Sequence, residues 1–230
     1  MTELLSLSLL PIVLTLAAFR LGQVLQQKFK SALLNPILIA VILVVLFLTL
    51  TGMPGADYQA GMKNLSWLLT PATISLAIPL YEQFQALKKN LSAIGAGIAA
   101  GALACLLMVA GLGILFGFDR ELTVSLLPKS ITTAIGVSLT ELTGGIPSIT
   151  TAAIIFTGIL ANIMGSTFCR LFRITDKVAQ GVAFGTAGHV IGTTRANEID
   201  PLTGAVSSLS LVVAGLLTAI VLPLMAGFIP

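Results

Sequence analysis

The sequence predicts an all-α integral membrane protein with about seven to eight hydrophobic segments, arranged in two repeats with discontinuous or re-entrant helices. Of its 230 residues, 56% are hydrophobic and 9% are charged, whereas a soluble domain carries about 25% charged residues. The mean hydropathy is +1.04. Because so few charges cannot cover a water-facing surface, we expect one polytopic membrane domain over residues 1–230. This composition excludes a soluble enzyme, a nucleic-acid-binding protein and a disordered linker.

Eight apolar stretches are each about 20 residues long or longer, which is the length needed to span a bilayer as a helix. They cover residues 4–26, 33–52, 64–86, 91–118, 122–143, 147–169, 178–196 and 203–229. The first stretch lacks the preceding positive charge of a secretory signal, so we expect it to be a membrane span. The connections between the stretches are too short to form a soluble domain.

The two halves of the chain, about 1–116 and 117–230, resemble each other. Residues 8–11 and 125–128 both read Ser-Leu-Leu-Pro, with a glutamate shortly before each. Internal duplication is a common construction of secondary transporters. The alternative is that any two runs of membrane helices align in this way.

The basic residues give conflicting information about topology. Three groups are expected on the cytoplasmic side: Lys28 with Lys30, Lys88 with Lys89, and Arg170 with Arg173 and Lys177. Three apolar stretches separate Lys89 from Arg170, and three simple crossings would place these residues on opposite sides. Either residues 122–146 enter the membrane and return, or residues 64–86 are re-entrant and the halves are inverted. The sequence leaves both arrangements open.

The first candidate binding residues surround a lysine inside an apolar stretch. Lys129 follows a proline, which suits the first turn of a helix, and precedes Ser130, Thr132 and Thr133. A charge at mid-bilayer costs at least ~2.5–3.5 kcal/mol. Lys129, these hydroxyls and the free N–H groups of a helix N-terminus would together bind a small anion. The alternative is a lysine that extends to the membrane interface.

A second candidate group lies in the glycine-rich segment before Glu198. His189 and Arg195 can each donate a hydrogen bond to a carboxylate, and Thr186 and Thr193 flank the histidine. His189 can also titrate near neutral pH and carry a coupling proton. The alternatives are that His189 is a hydrogen-bonded packing residue and that Arg195 forms an interfacial ion pair with Glu198.

Prolines mark a third candidate segment, which begins at Thr70 and Pro71. Pro71 and Pro79 each remove a backbone donor and disrupt a helix. Irregular backbone is tolerated at membrane depth only where it is buried in protein or lines a cavity. We therefore expect Thr70 and Pro71 to form the opposite wall of the anion site, unless the segment is a proline-kinked packing helix.

Enzymatic and metal chemistry are not expected. Cys105 and Cys169 lie in apolar surroundings without metal-ligand spacing or a disulfide framework, and the chain has one histidine. The sequence offers no pair of nucleophile and base. We therefore predict no catalytic residues, no metal and no cofactor.

Five sequence blocks resemble the LrgB/CidB family of integral membrane proteins, and within it the YohK branch of bacterial inner-membrane proteins. The blocks are Leu33–Pro36, Leu69–Gln83, Leu127–Thr133, Gly144–Pro147 and Gly185–Thr193. The last block fits the family pattern Gly-Thr-x-x-His-x-x-Gly-Thr. The family often continues with Ala-Arg, where this chain has Thr194 and Arg195, so only the arginine is carried over.

The resemblance implies two functions. One is a holin- or antiholin-like role beside a small LrgA/CidA-like membrane protein, modulating murein hydrolase activity and autolysis. The other is transport of small 2-oxo or 2-hydroxy monocarboxylates such as pyruvate, glycolate or glycerate, since the C-terminal part of the plant plastidal glycolate/glycerate translocator is similar to this chain. Polar groups inside broken helices favour transport, through a defined small-molecule site. We expect a multi-pass protein of the bacterial inner membrane, able to form homo-oligomers.

Overall fold

The computed structural model describes residues 2–29, 34–68, 71, 74–75 and 77–229, and all regular secondary structure in these ranges is helical. Four helices in them are long and apolar enough to cross a membrane: Leu9–Phe29, Leu91–Phe116, Pro147–Leu171 and Pro201–Ala226. The all-helical membrane class is thus confirmed, with four spanning-length helices where the sequence has eight apolar stretches. The chain divides into two compact units, Met1–Ser75 and Leu76–Pro230. The predicted repeat has its boundary near residue 116 and stays a prediction.

The first unit contains helices α1 (Thr2–Phe29), α2 (Pro36–Thr51) and α3 (Gly55–Ser66). Helix α2 begins where the Asn35 side chain accepts hydrogen bonds from the first free backbone N–H groups, and it ends at Gly52 with φ of 67°. The hydroxyls of Thr15 and Tyr58 lie 2.6 Å apart and join α1 to α3. Pro71 belongs to this unit and is exposed, whereas Thr70 lies outside the described residues.

The second unit contains the remaining described helices. They are α4 (Ala77–Glu82), α5 (Phe84–Lys89), α6 (Leu91–Phe116), α7 (Arg120–Leu126), a 3-10 helix (Leu127–Ser130), α8 (Thr133–Thr143), α9 (Pro147–Leu171), α10 (Lys177–Ile199) and α11 (Pro201–Ala226). Aspartates cap several of their N-termini: the side chains of Asp119, Asp176 and Asp200 accept hydrogen bonds from the first free backbone N–H groups of α7, α10 and α11. Aspartates in the sequence therefore set the starting points of these three helices.

Helices α7 and α8, with the 3-10 helix between them, form a hairpin, here called the first hairpin. A continuous helix from Arg120 to Thr143 would be about 35 Å long. Instead, Nη1 of Arg120 donates a hydrogen bond to the carbonyl of Thr143 at 3.3 Å. The chain reverses at Ile131, whose backbone is extended between the two helical arms.

Helix α10 also folds back on itself and is here called the second hairpin. Its two ends meet, because Nζ of Lys177 lies 2.6 Å from the carboxylate of Asp200, whereas a straight helix would separate these residues by about 35 Å. The arms pack so closely that a Cβ at Gly192 would lie 2.7 Å from the carbonyl oxygen of Phe184. The reversal occurs at His189, where φ is 43° and ψ is −139°.

The two hairpins approach each other from opposite ends of α11, a helix of 26 residues and hence about 39 Å long. At the C-terminal end of α11, Nη2 of Arg120 donates to the carbonyl of Ala226 at 3.4 Å. At the N-terminal end, Asp200 closes the second hairpin and caps α11. The second turn and the first turn of helix α8 both contact the first half of α9: His189 contacts Ile154, and a Cβ at Gly136 would lie 2.6 Å from the Ile154 side chain.

This arrangement accounts for the conflict among the basic residues of the second unit. Leu87 and Ile94, next to Lys88 and Lys89, share one buried core with Val178 and Leu202 at the base of the second hairpin. Arg170, at the end of α9, is next to Cys169, which packs with residues of both arms of that hairpin. Because the first hairpin returns to the end from which it starts, α6 and α9 run in opposite directions. Both basic groups therefore lie at one end of the unit.

Candidate functional site

Lys129 lies at the turn of the first hairpin. Pro128 adopts φ of −83° and ψ of 17°, which breaks the helix directly before the lysine. The Lys129 side chain is half-buried, and its Nζ donates a hydrogen bond to Oγ of buried Ser130 at 3.0 Å. Thr132 follows as the N-cap residue of α8, and Thr133 is the exposed first residue of that helix. The turn thus brings together the cation, a hydroxyl and a helix N-terminus.

His189 forms the turn of the second hairpin with a strained backbone. A positive φ in a residue other than glycine costs about 1–3 kcal/mol, and such strain clusters at functional sites. The imidazole is buried, and its Nε2 lies 2.8 Å from the carbonyl oxygen of Ile154. Since a carbonyl oxygen only accepts, Nε2 carries the proton. Gly158 provides the space for the ring, because a Cβ there would lie 2.6 Å from Cε1 of His189.

The turns of the two hairpins create a region of positive potential inside the second unit. Helix α8 begins at the first turn, and the second arm of α10 begins at His189. The N-terminal end of a helix carries a partial positive charge and free N–H groups. Lys129 lies at the first of these two turns. These groups together favour an anion at the place where the hairpins meet.

A cavity of about 460 Å³ opens beside Lys129 and runs along α9 from Thr157 to Cys169. Its walls include Leu160, Met164, Phe168, Ala183 and Phe184. Among the described residues that line it, Lys129 is the one charged side chain. The cavity thus combines the single cation Lys129 with a long apolar wall.

The other predicted residues of α10 lie outside this cavity and have partners elsewhere. Thr186 donates to the carbonyl of Val182 at 2.7 Å and lines a second cavity of about 510 Å³ against α6, which shares Ala183 and Ala187 with the first. The hydroxyl of Thr193 lies 2.8 Å from both the His189 carbonyl and the Ser207 hydroxyl. Of the predicted site residues in the described ranges, Lys129 alone borders the 460 Å³ cavity.

Arg195 lies near the end of the second arm of α10, where it forms an ion pair. Its Nη1 is 2.8 Å from the carboxylate of Glu198, and its Nε donates to the hydroxyl of Ser166 at 3.3 Å. This geometry corresponds to the ion pair with Glu198 that the sequence left open as an alternative.

The ion pair at the base of the second hairpin affects the pKa of Asp200. The hydrogen bond from Lys177 holds the pKa of the Asp200 carboxyl below its ordinary value. That carboxylate is therefore charged at neutral pH and keeps the base of the second hairpin closed.

A buried hydroxyl network, which the sequence did not identify, supports the first hairpin. The hydroxyl of Thr150 donates to the carbonyl of Ser125 at 2.8 Å and lies 2.7 Å from the hydroxyl of Thr140. The Ser125 hydroxyl accepts from the backbone N–H of Ile146 at 2.7 Å. These bonds join α7, α8 and α9. The sequence feature that could have indicated this network is the recurrence of serine and threonine within otherwise apolar stretches.

Fold and site define an all-helical membrane protein in which two opposed helical hairpins meet beside three long helices, with a half-buried lysine at the meeting place. Residues 15–228 match the model of the LrgB-like family. The chain belongs to that family, as the sequence blocks predicted.

Curated relatives extend over nearly the whole chain. The Antiholin-like protein LrgB of Bacillus cereus (strain B4264) is 35% identical over 219 residues, covering 95% of this chain and 95% of the relative. The protein of the same name from Bacillus anthracis (strain CDC 684 / NRRL 3495) gives the same values. No solved structure matches the chain. The relatives' name denotes a non-enzymatic kind of protein and supports the antiholin-like interpretation better than the carrier.

Proposed function

We propose that this chain is an antiholin-like protein of the bacterial inner membrane that modulates murein hydrolase activity together with an LrgA-like small membrane protein. The observation that carries this proposal is the name of relatives that are 35% identical over 95% of the chain. The multi-pass helical fold supports a site of action within a bilayer.

Deletion of the gene tests this function. We expect cells without the chain to autolyse faster in dilute non-ionic detergent and to show higher murein hydrolase activity in extracts, because an antiholin-like protein opposes lysis. Expression of the wild-type chain from a plasmid should restore the slower rate. Equal autolysis rates in deleted and complemented cells would contradict the proposal.

As a second candidate function, we propose that the chain carries small 2-oxo or 2-hydroxy monocarboxylates across the membrane. The meeting of two opposed hairpins at Lys129 and His189 supports this function, because secondary transporters bind anions at broken helices near the membrane midplane. We propose that both hairpins are re-entrant and that the end bearing Lys88 and Arg170 is cytoplasmic. Lys129 and Ser130 would bind the carboxylate, with Thr132 beside them.

His189 is proposed to hold the second turn in place and to carry the coupling proton. The Thr193 hydroxyl donates a hydrogen bond to the His189 carbonyl and also lies within hydrogen-bond distance of the Ser207 hydroxyl on α11. Thr186 packs the first arm against α6. We therefore assign these two threonines to positioning the second hairpin. Arg195, paired with Glu198, is assigned to holding its second arm on α9 through Ser166.

Uptake into proteoliposomes tests the carrier. We expect saturable uptake of labelled pyruvate, glycolate or glycerate by the wild-type chain, and a loss of roughly ten- to a hundredfold in Lys129→Met, since a hydrogen bond to a charged group contributes ~1.5–3 kcal/mol. The matched control is Lys88→Met, which removes an exposed lysine outside the site. Equal uptake by the Lys129 and Lys88 variants would contradict the assignment, and so would passage of large dyes.

A further inference from the structure

We propose that the 460 Å³ cavity binds a medium-chain monocarboxylate, with its carboxylate at Lys129 and its unbranched apolar tail along α9. This inference goes beyond the second candidate function, because it concerns the apolar length of the cavity beyond Lys129, which a three-carbon acid does not fill. It concerns binding, so it can hold whether or not the ligand is carried across the membrane.

The charge of the cavity selects one anionic group. Lys129 is the one charged residue among the described residues that line it, and its Nζ contacts the Ser130 hydroxyl at 3.0 Å, which leaves further donors on the ammonium. The N-terminal end of α8 lies at the same turn and adds positive potential. A single carboxylate satisfies this end of the cavity.

The walls select an apolar body. Buried Phe184 and the exposed Leu160, Met164 and Phe168 present hydrocarbon and aromatic surface to the cavity. The polar side chains of the lining beyond Lys129 are limited to Thr157 and the thiol of Cys169. A hydroxylated acid would leave its hydroxyl groups short of partners there, and an unpaired buried polar group costs binding energy. An alkyl chain has no such requirement and gains from leaving water.

The size of the cavity exceeds that of a three-carbon acid. A volume of 460 Å³ corresponds to roughly fifteen water molecules at ~30 Å³ each, whereas glycerate has seven non-hydrogen atoms. The lining extends along α9 from Thr157 to Cys169, a distance of about 18 Å of helix. A long, narrow ligand with its charge at one end matches this shape.

A homologous series of acids tests the proposal on the full chain in phosphatidylcholine nanodiscs. Butanoate, hexanoate and octanoate are titrated by calorimetry, with empty nanodiscs subtracted. We expect saturable binding whose affinity rises about fourfold per methylene, while 1-octanol and octylammonium show none. Lys129→Met should weaken octanoate binding by roughly tenfold or more, and the matched control Lys88→Met should leave it unchanged.

A second variant tests the position of the tail. Ala183→Leu fills part of the cavity wall and keeps Lys129, so we expect weaker octanoate binding and unchanged butanoate binding. Three results would overturn the proposal: tighter binding of glycolate or pyruvate than of octanoate, equal octanoate binding by the Lys129 and Lys88 variants, or a retained anionic phospholipid that octanoate does not displace. Uptake of glycolate without alkanoate binding would overturn this inference alone, whereas alkanoate binding without any uptake would overturn the carrier alone.

Discussion

Replacing Gly192 by valine is expected to destabilise the folded chain by about 3 kcal/mol, at the upper end of the usual cost of overpacking. A Cβ at Gly192 would lie 2.7 Å from the carbonyl oxygen of Phe184. That oxygen belongs to the backbone of the other arm of the second hairpin, so it cannot move aside as a flexible side chain could. The two arms must separate to admit the valine, and the buried contacts of α10 with α11 are lost with them.

Thermal unfolding in detergent measures this effect, and Gly111→Val provides the matched control. No atom lies within 4 Å of a Cβ at Gly111, and valine has a slightly better helix propensity than glycine. We therefore expect the control to unfold near the wild-type temperature while Gly192→Val unfolds well below it. If both variants unfold at the same temperature, the arms of α10 are not packed against each other as described.

Single cysteines placed at Lys89 and Arg170 are expected to react with a membrane-impermeant maleimide from the same side of the membrane, and a cysteine at Glu141 from the opposite side. The first two residues lie at the end of the second unit where the second hairpin has its base. Glu141 lies near the base of the first hairpin, at the other end of α9. Because accessibility is nearly all-or-none across a bilayer, this is the largest effect expected from the fold.

Intact and permeabilised cells are compared, in a background where Cys105 and Cys169 are replaced by alanine. With the basic end in the cytoplasm, the Lys89 and Arg170 positions should react after permeabilisation only, and the Glu141 position before it. Omitting the reagent and pre-blocking with a permeant maleimide provide the controls. Reaction of Lys89→Cys and Arg170→Cys from opposite sides would show that the first hairpin crosses the membrane.

The membrane class follows from the composition of the chain, and several helix ends follow from the positions of aspartates and glycines in the sequence. Asp119, Asp200 and the glycines after α6 and α8 stand at helix ends because their side chains, or the lack of one, suit those positions. The charge argument left two stretches that could turn back, and the chain reverses within one of them, residues 122–146. The order of residues limited the reversal to these two stretches and did not choose between them.

The reversal at His189 could not be read in this way. Residues 178–196 form one stretch of spanning length, and although its glycines and polar residues indicated a break, they did not show where the chain reverses or that its arms pack together. The fold-back depends on close contacts such as those of Gly192 with Phe184 and Gly185 with the backbone of Ser207, which join residues that are distant in sequence. For the same reason, residue type placed Lys129 in a candidate site but did not show that Thr186 faces away from it.

The second hairpin is synthesised before α11, the helix on which it packs. Its arms are complete at Ile199, before any residue of Pro201–Ala226 has been synthesised. Until α11 is made, the second hairpin lacks the close contacts of Gly181 and Gly185 with that helix, although α9 already contacts His189 at the bend. We therefore expect a nascent chain halted before Pro201 to stay in the membrane through its earlier helices of spanning length, with an unpacked second hairpin that quality-control proteases degrade.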